Sequence, residues 1–336
     1  RSGGSPTVPS RWLLRLETLL KGTALDAALK PDDKINALFN LLDKPEHVQE
    51  PTEPLPTPPL AARPRKLSVS RIETWIRDPY AIYARNILGL KALDPIDADP
   101  GAAERGTMVH EALDRFVKQF TKELPGNAYD ELIAIGSTVF DEKNVHPAVR
   151  AFWWPRFERI AEWFVDNETK QRGSGRVPLS TETSGEIDFS TPGGDFTLNA
   201  RADRIDKTAA GELAIIDYKT GGVPTRKQMQ SGLTPQLTLE AAMAAEGRFA
   251  GVDKGVVSDL VYMKLSGGRE PGKESGASDD VEGLAADALK ELKGLVAAFD
   301  DETTPYRSRT VPMFLNRPGD YDHLARVKEW MTGEDE

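Results

Sequence analysis

The sequence predicts an α/β fold with the element order αβββαβ, in which helices flank a central mixed sheet and further helices lie outside this core. Three observations lead to this prediction. Residues 104–117 repeat apolar side chains at helical spacing, residues 180–219 contain three strand-like segments, and residues 234–265 read as a helix followed by a strand. The core therefore spans about residues 104–265.

Composition limits the class of protein. The chain has 336 residues, 39% hydrophobic and 29% charged, as expected of a globular protein with a sizeable core. No apolar run approaches the roughly 18 residues of a membrane span, and no secretory segment is evident, so we expect a cytoplasmic protein without a membrane partner. The net charge of −10 argues against nonspecific coating of nucleic acid but allows a local basic channel.

The N-terminal part is expected to be separate from the core. Residues 1–44 read as two short amphipathic helices, which are too small to form a core alone. Seven prolines lie between positions 45 and 64, and they predict an extended linker over residues 45–66. Residues 67–336 are then the main domain. Because the first residue is Arg rather than Met, we expect the sequence to be part of a longer protein.

Two predicted strands place acidic residues opposite each other. Residues 196–203 alternate between apolar and polar, and residues 214–219 begin as an apolar run of strand formers. If this hairpin pairs symmetrically about Ala210, Asp203 faces Asp217 with Cβ atoms about 5 Å apart. Two carboxylates this close repel each other unless a cation lies between them, and Mg²⁺ suits such oxygen ligands. An ordinary hairpin with solvated charges is the alternative.

The strand period extends this interpretation to neighbouring residues. Lys219 shares a face with Asp217, so its ammonium would lie beside the cation and near a bound water, while Tyr218 faces the other way. Asp206 is an odd number of residues from Asp203 and should point away, as a turn residue or a supporting one.

Three further segments have two interpretations each. His110 lies at the edge of the apolar face of its helix, where it is either a metal ligand or a packed residue. Glu182 is a candidate accessory acid or part of a solvated strand face. The aromatic stripe in residues 152–164 is interpreted as core, with stacking on single-stranded bases as the alternative. Residues 266–280, rich in Gly, Ser and acidic residues, are expected to be mobile.

These motifs resemble a known family. Asp203 followed by Ile216-Asp217-Tyr218-Lys219-Thr220-Gly221 resembles the core motif of PD-(D/E)XK nucleases, most closely the RecB-type and AddB-type helicase–nucleases. The pattern Gly106-x-x-x-His110-x-x-Leu113 is similar to the helix that carries the family's histidine ligand.

The resemblance implies a restriction-endonuclease-like core and Mg²⁺-dependent hydrolysis of DNA, with Mn²⁺ as the alternative cation. His110, Asp203, Asp217 and the Tyr218 carbonyl would hold the cation. Lys219 would orient or help to deprotonate the attacking water, and it would balance the phosphate charge.

The resemblance also implies residues that contact the substrate. Gln236 matches the family's glutamine near the scissile phosphate, and the tyrosine found four residues later in the family is replaced here by Glu240, whose role stays open. A basic loop and the adjoining strand are expected to contact the DNA backbone. The residues concerned are Thr220, Arg226, Lys227 and Arg201.

Many relatives hold a 4Fe–4S cluster with cysteines, one of which precedes the residue corresponding to Pro79. Here that position is Asp78 and the chain contains no cysteine, so no iron–sulfur cluster is expected. The family implies an AddA-like helicase partner, a DNA single strand produced by unwinding, and double-strand break processing for recombinational repair. Residues 1–44 would then be left from an upstream helicase-like region. The alternatives are a stand-alone RecB-family or Cas4-like exonuclease, and a catalytically silent DNA-binding scaffold.

Overall fold

The computed structural model describes residues 8–29, 33–42, 44, 47, 51–91, 93, 101–277, 279–311 and 319–331. They form two compact units that divide between Pro51 and Thr52. The first unit contains α1 (Arg11–Leu20), a 3-10 turn at Asp26–Leu29, and α2 (Asp33–Leu42). Helix α1 begins after Ser10, whose hydroxyl accepts a hydrogen bond from the Leu13 N–H.

The second unit contains the strands and the remaining helices. The strands are β1 (Lys66–Ser68), β2 (Val177–Thr191), β3 (Gly194–Lys207), β4 (Leu213–Lys219), β5 (Val257–Leu265) and β6 (Gly272–Ala277). The helices are α3 (Val69–Arg77), α4 (Pro79–Ile82) with a π-helical continuation at Tyr83–Ile87, α5 (Ala102–Gln119), α6 (Ala128–Glu142), α7 (Pro147–Gly173), α8 (Arg226–Gln230), α9 (Gln236–Ala245), α10 (Val281–Asp300) and α11 (Val327–Trp330).

Within the described part of the chain, the strands form one mixed sheet. The order is β1-β3-β4-β5-β6, and β2 also pairs with β3. Strand β3 is antiparallel to both β2 and β4, and β4 is parallel to β5. The succession α5-β2-β3-β4-α9-β5 is the predicted αβββαβ order, and the predicted mixed sheet flanked by helices is confirmed.

The hairpin of β3 and β4 has the predicted register. Arg204 pairs with Ile216 and Ile205 with Ile215, which is symmetric about position 210. The paired residues end at Arg204 and Ile216, and Asp203 and Asp217 are the residues adjoining this last pair. The apolar run before Asp217 is buried because β4 is a central strand with helices on both faces.

Two apolar cores cover the two faces of the sheet. Helices α3, α9 and α10 contribute to the first core, and α5, α6 and α7 contribute to the second. Strand β4 sends Ile215 into the first and Ile216 into the second. The aromatic stripe of α7 belongs mostly to the second core, where Phe157 and Phe164 are buried, although Phe152 is exposed.

Asp206 is not a turn residue, which corrects one of its two predicted placements. It lies in β3, is fully buried, and accepts a hydrogen bond of 2.5 Å from Nε of Arg204. Arg204 also donates to Glu168 of α7 at 2.5 Å. A buried charge is tolerated when it is paired in this way. The network therefore links β3 to α7.

The proline-rich segment differs from an extended linker over its second half. Arg63 is 4% exposed and donates to the carbonyl of Pro58. Its guanidinium also donates to the carbonyls of Phe299, Asp301 and Glu302 at the end of α10. These contacts satisfy carbonyls that a helix leaves unpaired at its C-terminus. Residues 272–277 also differ from the expected mobile segment, since they form β6 against β5.

Candidate active site

Helix α5 approaches the end of β4 closely. A Cβ atom on Gly106 would lie 2.9 Å from Oγ1 of Thr220, so a residue without a side chain permits the approach. One turn later, His110 contacts Tyr218 edge-on, with ring centroids 5.7 Å apart. Its Nδ1 lies 3.4 Å from Oδ2 of Asp203. The predicted histidine therefore reaches the hairpin.

Asp203 is held in place by the opposite strand. Its Oδ2 accepts a hydrogen bond of 2.8 Å from the Tyr218 N–H. Burial raises the pKa of Asp203 to about 6, and the charge of Glu182 acts in the same direction. Burial also lowers the pKa of His110 below its ordinary value, so the imidazole is neutral at pH 7 and can bind a metal.

Glu182 of β2 joins this pair, although sequence reasoning favoured a solvated strand face. One ligand atom each from His110, Glu182 and Asp203 lies within 4.8 Å of the others. Glu182 has a φ of 49°, a left-handed backbone conformation that is uncommon outside glycine. In β3, which pairs with β2, Ala202 and Ile205 both pack into the first core although they are three positions apart. The regular alternation of side chains along β3 is therefore interrupted between these two residues. No residue pattern in the sequence signals this irregularity.

Asp217, Lys219 and Gln236 form a closed triangle beside the first group. Nζ of Lys219 lies 2.8 Å from Oδ2 of Asp217 and donates to Oε1 of Gln236 at 3.2 Å. Nε2 of Gln236 donates to Oδ1 of Asp217 at 2.6 Å. Burial raises the pKa of Asp217 to about 6, although the Lys219 charge opposes this. Burial acts to lower the pKa of Lys219, but the Asp217 carboxylate holds it above its ordinary value.

Glu240 lies one turn beyond Gln236 and is 1% exposed. Its Oε1 accepts a hydrogen bond of 3.4 Å from Nε2 of Gln236, whereas its Oε2 has no partner within the described residues. Burial raises the pKa of Glu240 well above its ordinary value, and the nearby Asp217 charge adds to this. The shift favours the protonated form of this carboxyl group, which contacts Gln236.

The predicted DNA-binding residues lie in different surroundings. Arg201 pairs with Glu182 at 2.7 Å, and Arg226 pairs with Asp279 at 2.6 Å. Lys227 is exposed in α8, and Thr220 lies against Gly106. Contact of all four with DNA stays a prediction.

The residues fit a hard divalent cation. The group of His110, Glu182 and Asp203 offers only oxygen and imidazole nitrogen atoms, which suit Mg²⁺ or Mn²⁺. Lys219 contacts Asp217 and Gln236, and Arg201 contacts Glu182, so Asp203 has no Lys or Arg partner among the described residues and a bound cation could supply that charge. Among the helices of the described residues, none has the length and apolar character to span a bilayer.

Comparison with known proteins gives related sequences. A sequence model of the PD-(D/E)XK nuclease superfamily matches residues 66–310. The chain is 31% identical over 253 residues to the uncharacterized protein RC0550 of Rickettsia conorii, a match that covers 73% of this chain and 28% of that protein. It is 28% identical over 305 residues to an ATP-dependent helicase/deoxyribonuclease subunit of Clostridium perfringens, covering 80% and 26% respectively. The chain thus spans roughly a quarter of the length of these relatives.

Proposed function

Because the chain belongs to the PD-(D/E)XK nuclease superfamily, we propose that it is a deoxyribonuclease module that hydrolyses DNA phosphodiester bonds at the site described above. The observation that carries the proposal is the triangle of Asp217, Lys219 and Gln236 beside the group containing His110 and Asp203. A catalytically silent scaffold is expected to have lost at least one of these side chains, and all of them are present.

The site would hold Mg²⁺, with Mn²⁺ as the alternative. His110, Asp203 and Asp217 with the Tyr218 carbonyl are the ligands predicted from the sequence, and Glu182 is added to them by its position. When bound, a divalent cation polarises the scissile phosphate and lowers the pKa of a bound water.

Lys219 has a more limited role than the sequence suggested. Because Asp217 keeps its pKa above the ordinary value, Lys219 is protonated at neutral pH. We therefore assign it to donating hydrogen bonds and balancing phosphate charge rather than to accepting a proton. Gln236 contacts both Lys219 and Asp217, so it fixes their relative positions.

The wider assignment follows from the relatives. We propose that the chain is part of an AddB-like protein that works with an AddA-like helicase in the cytoplasm. That helicase would supply single-stranded DNA during double-strand break processing for recombinational repair. The name of the Clostridium relatives, which joins helicase and deoxyribonuclease, supports this assignment.

Cleavage of end-labelled single-stranded and double-stranded DNA tests the activity. We expect cutting in Mg²⁺, none in EDTA, and none by Asp217→Ala. Lys219→Ala should lower kcat by about 10²- to 10³-fold, while DNA affinity in EDTA stays within a few fold. Lys290→Ala, on the exposed side of α10, is the control and should cut normally. Unchanged cutting by Lys219→Ala, or cutting that survives EDTA, would refute the proposed site.

A further inference from the structure

Two arginines outside the site described above lie at the same edge of the sheet. Helices α5 and α7 run in the same direction, because Phe116 contacts Phe164 and, further along both helices, Arg172 donates to the carbonyl of Phe120. The N-terminal halves of the two helices therefore point toward the same end of this helical layer. Arg105 lies in this part of α5 and Arg156 lies in this part of α7.

Both arginines adjoin segments that leave the sheet beside the site. Gly106, next to Arg105, packs against Thr220, which directly follows Lys219. The backbone of Arg156 packs under Gly267, where an added Cβ would lie 2.4 Å from the Arg156 carbonyl oxygen. Gly267 comes two residues after the end of β5, the parallel neighbour of β4. The pair therefore lies at the edge of the sheet where the catalytic strand ends.

The two guanidinium groups lack the partners that other arginines on these helices have. Arg115 of α5 pairs with Glu142, and Arg150 of α7 pairs with Asp141. Among the described residues, neither Arg105 nor Arg156 forms an ion pair with a carboxylate. Burial lowers the pKa of Arg105, and the charge of Arg156 lowers it further, so the two cations repel each other.

Two nearby arginines without a carboxylate partner are suited to binding an anion, and guanidinium groups bind phosphate through bidentate hydrogen bonds. Arg105 precedes His110 by five residues, or about 7.5 Å along the helix axis. We propose that Arg105 and Arg156 together bind one backbone phosphate of the DNA strand, next to the scissile position. This inference rests on the proposed nuclease function.

Binding without cleavage tests the inference. Affinity for a labelled single-stranded oligonucleotide is measured in EDTA at several salt concentrations for Arg105→Gln, Arg156→Gln and the double variant. Each single change should weaken binding about tenfold at low salt and reduce the slope of log affinity against log salt by about 0.7, the value for one phosphate on a single strand. The double variant should add little, because both residues serve one phosphate.

Arg115→Gln is the matched control, since it removes an equal charge from α5 but one that Glu142 already occupies. It should leave the salt slope unchanged. Arg156→Lys keeps the charge and should retain the slope of the wild type. The inference is overturned if the two single variants bind like Arg115→Gln, or if their effects add fully with a slope change of about 1.4.

Cleavage separates this inference from the proposed function. In Mg²⁺, the double variant should show a raised KM with kcat nearly unchanged. If the wild type does not cut but the arginine variants still lose affinity, the nuclease proposal fails and the phosphate site stands. If the wild type cuts and all variants bind and cut alike, the phosphate site fails and the nuclease proposal stands.

Discussion

Asp203 and Asp217 ionise less readily than ordinary aspartates, because burial raises the pKa of each to about 6. Between about pH 4 and pH 6 the folded protein then binds a proton more tightly than the unfolded chain does. Each carboxyl therefore lowers the stability of the metal-free protein as the pH rises through this window. A pKa that is higher by one in the folded protein corresponds to a cost of about 1.4 kcal/mol.

Asp217→Asn should remove this cost. In EDTA, the unfolding free energy of the variant minus that of the wild type should increase by roughly 2–3 kcal/mol as the pH is raised from about 4 to about 7. Urea denaturation at both pH values measures the difference. Asp300→Asn is the control with the opposite sign, because hydrogen bonds from Thr191, Gly193 and Arg65 outweigh burial and hold the pKa of Asp300 below its ordinary value. A difference that does not change with pH for Asp217→Asn would contradict the prediction.

Replacement of Glu240 by glutamine should have little effect on the site. Burial favours the protonated form of Glu240, which accepts a hydrogen bond from Gln236, so Glu240→Gln should keep DNA cleavage within a few fold of the wild type. Glu240→Ala leaves a cavity and an unsupported Gln236, and we expect it to lose about 2–4 kcal/mol of stability and part of kcat. Urea denaturation and steady-state cleavage of the two variants provide the test. A large loss in Glu240→Gln would show that a charged carboxylate is needed.

At the scale of elements, Glu182 of β2 adopts a backbone conformation that residues other than glycine usually avoid. The left-handed conformation of Glu182 costs about 1–3 kcal/mol and coincides with the break in alternation across β3. Such strain is typical of functional positions, and here it directs a carboxylate toward His110 and Asp203. A regular strand would keep the pairing and place this side chain elsewhere.

Glycine should therefore be better than alanine at this strand position, contrary to the usual order in strands. We expect Glu182→Gly to be about 1 kcal/mol more stable than Glu182→Ala, because glycine adopts positive φ without strain. Both variants should bind Mn²⁺ more weakly than the wild type, as measured by isothermal titration calorimetry. Equal metal affinity in all three proteins would remove Glu182 from the candidate ligands.

At the scale of the whole molecule, the second half of the proline segment supports the end of α10. Because Arg63 donates to three carbonyls there, deletion of residues 1–65 should cost at least about 3 kcal/mol more than deletion of residues 1–51. Arg63→Met in the full chain should show part of the same loss. Thermal unfolding of the three proteins measures it, and equal melting temperatures for the two deletions would contradict the role of Arg63.

The sequence predicted the features that depend on local patterns. The register of the β3–β4 hairpin follows from strand alternation and a short connection containing Gly211, and it places Asp203 and Asp217 beside the last paired residues, Arg204 and Ile216. The approach of His110 and Gln236 to this hairpin was predicted from the family resemblance. The structure brings these side chains into contact or close proximity, whereas the choice of metal ligands stays a prediction.

Features that depend on distant contacts could not be predicted in this way. Arg63 and its partner Phe299 are 236 positions apart, so no local sequence pattern predicts that this arginine is buried. The pairing of β6 with β5 similarly overrides a composition typical of mobile loops. The Arg105–Arg156 pair was missed because its two members lie on helices whose relative direction is set by tertiary packing.

The contact of Arg63 with α10 bears on how such modules can be exchanged between larger proteins. The recognisable superfamily segment begins at residue 66, but the chain that stabilises its last long helix begins some fifteen positions earlier. A recombination event that cut the chain at residue 66 would separate α10 from Arg63, which donates to the carbonyls at its end. Inheritance of this nuclease module therefore requires the preceding prolines and Arg63 to travel with it, and the functional unit is longer than its sequence signature.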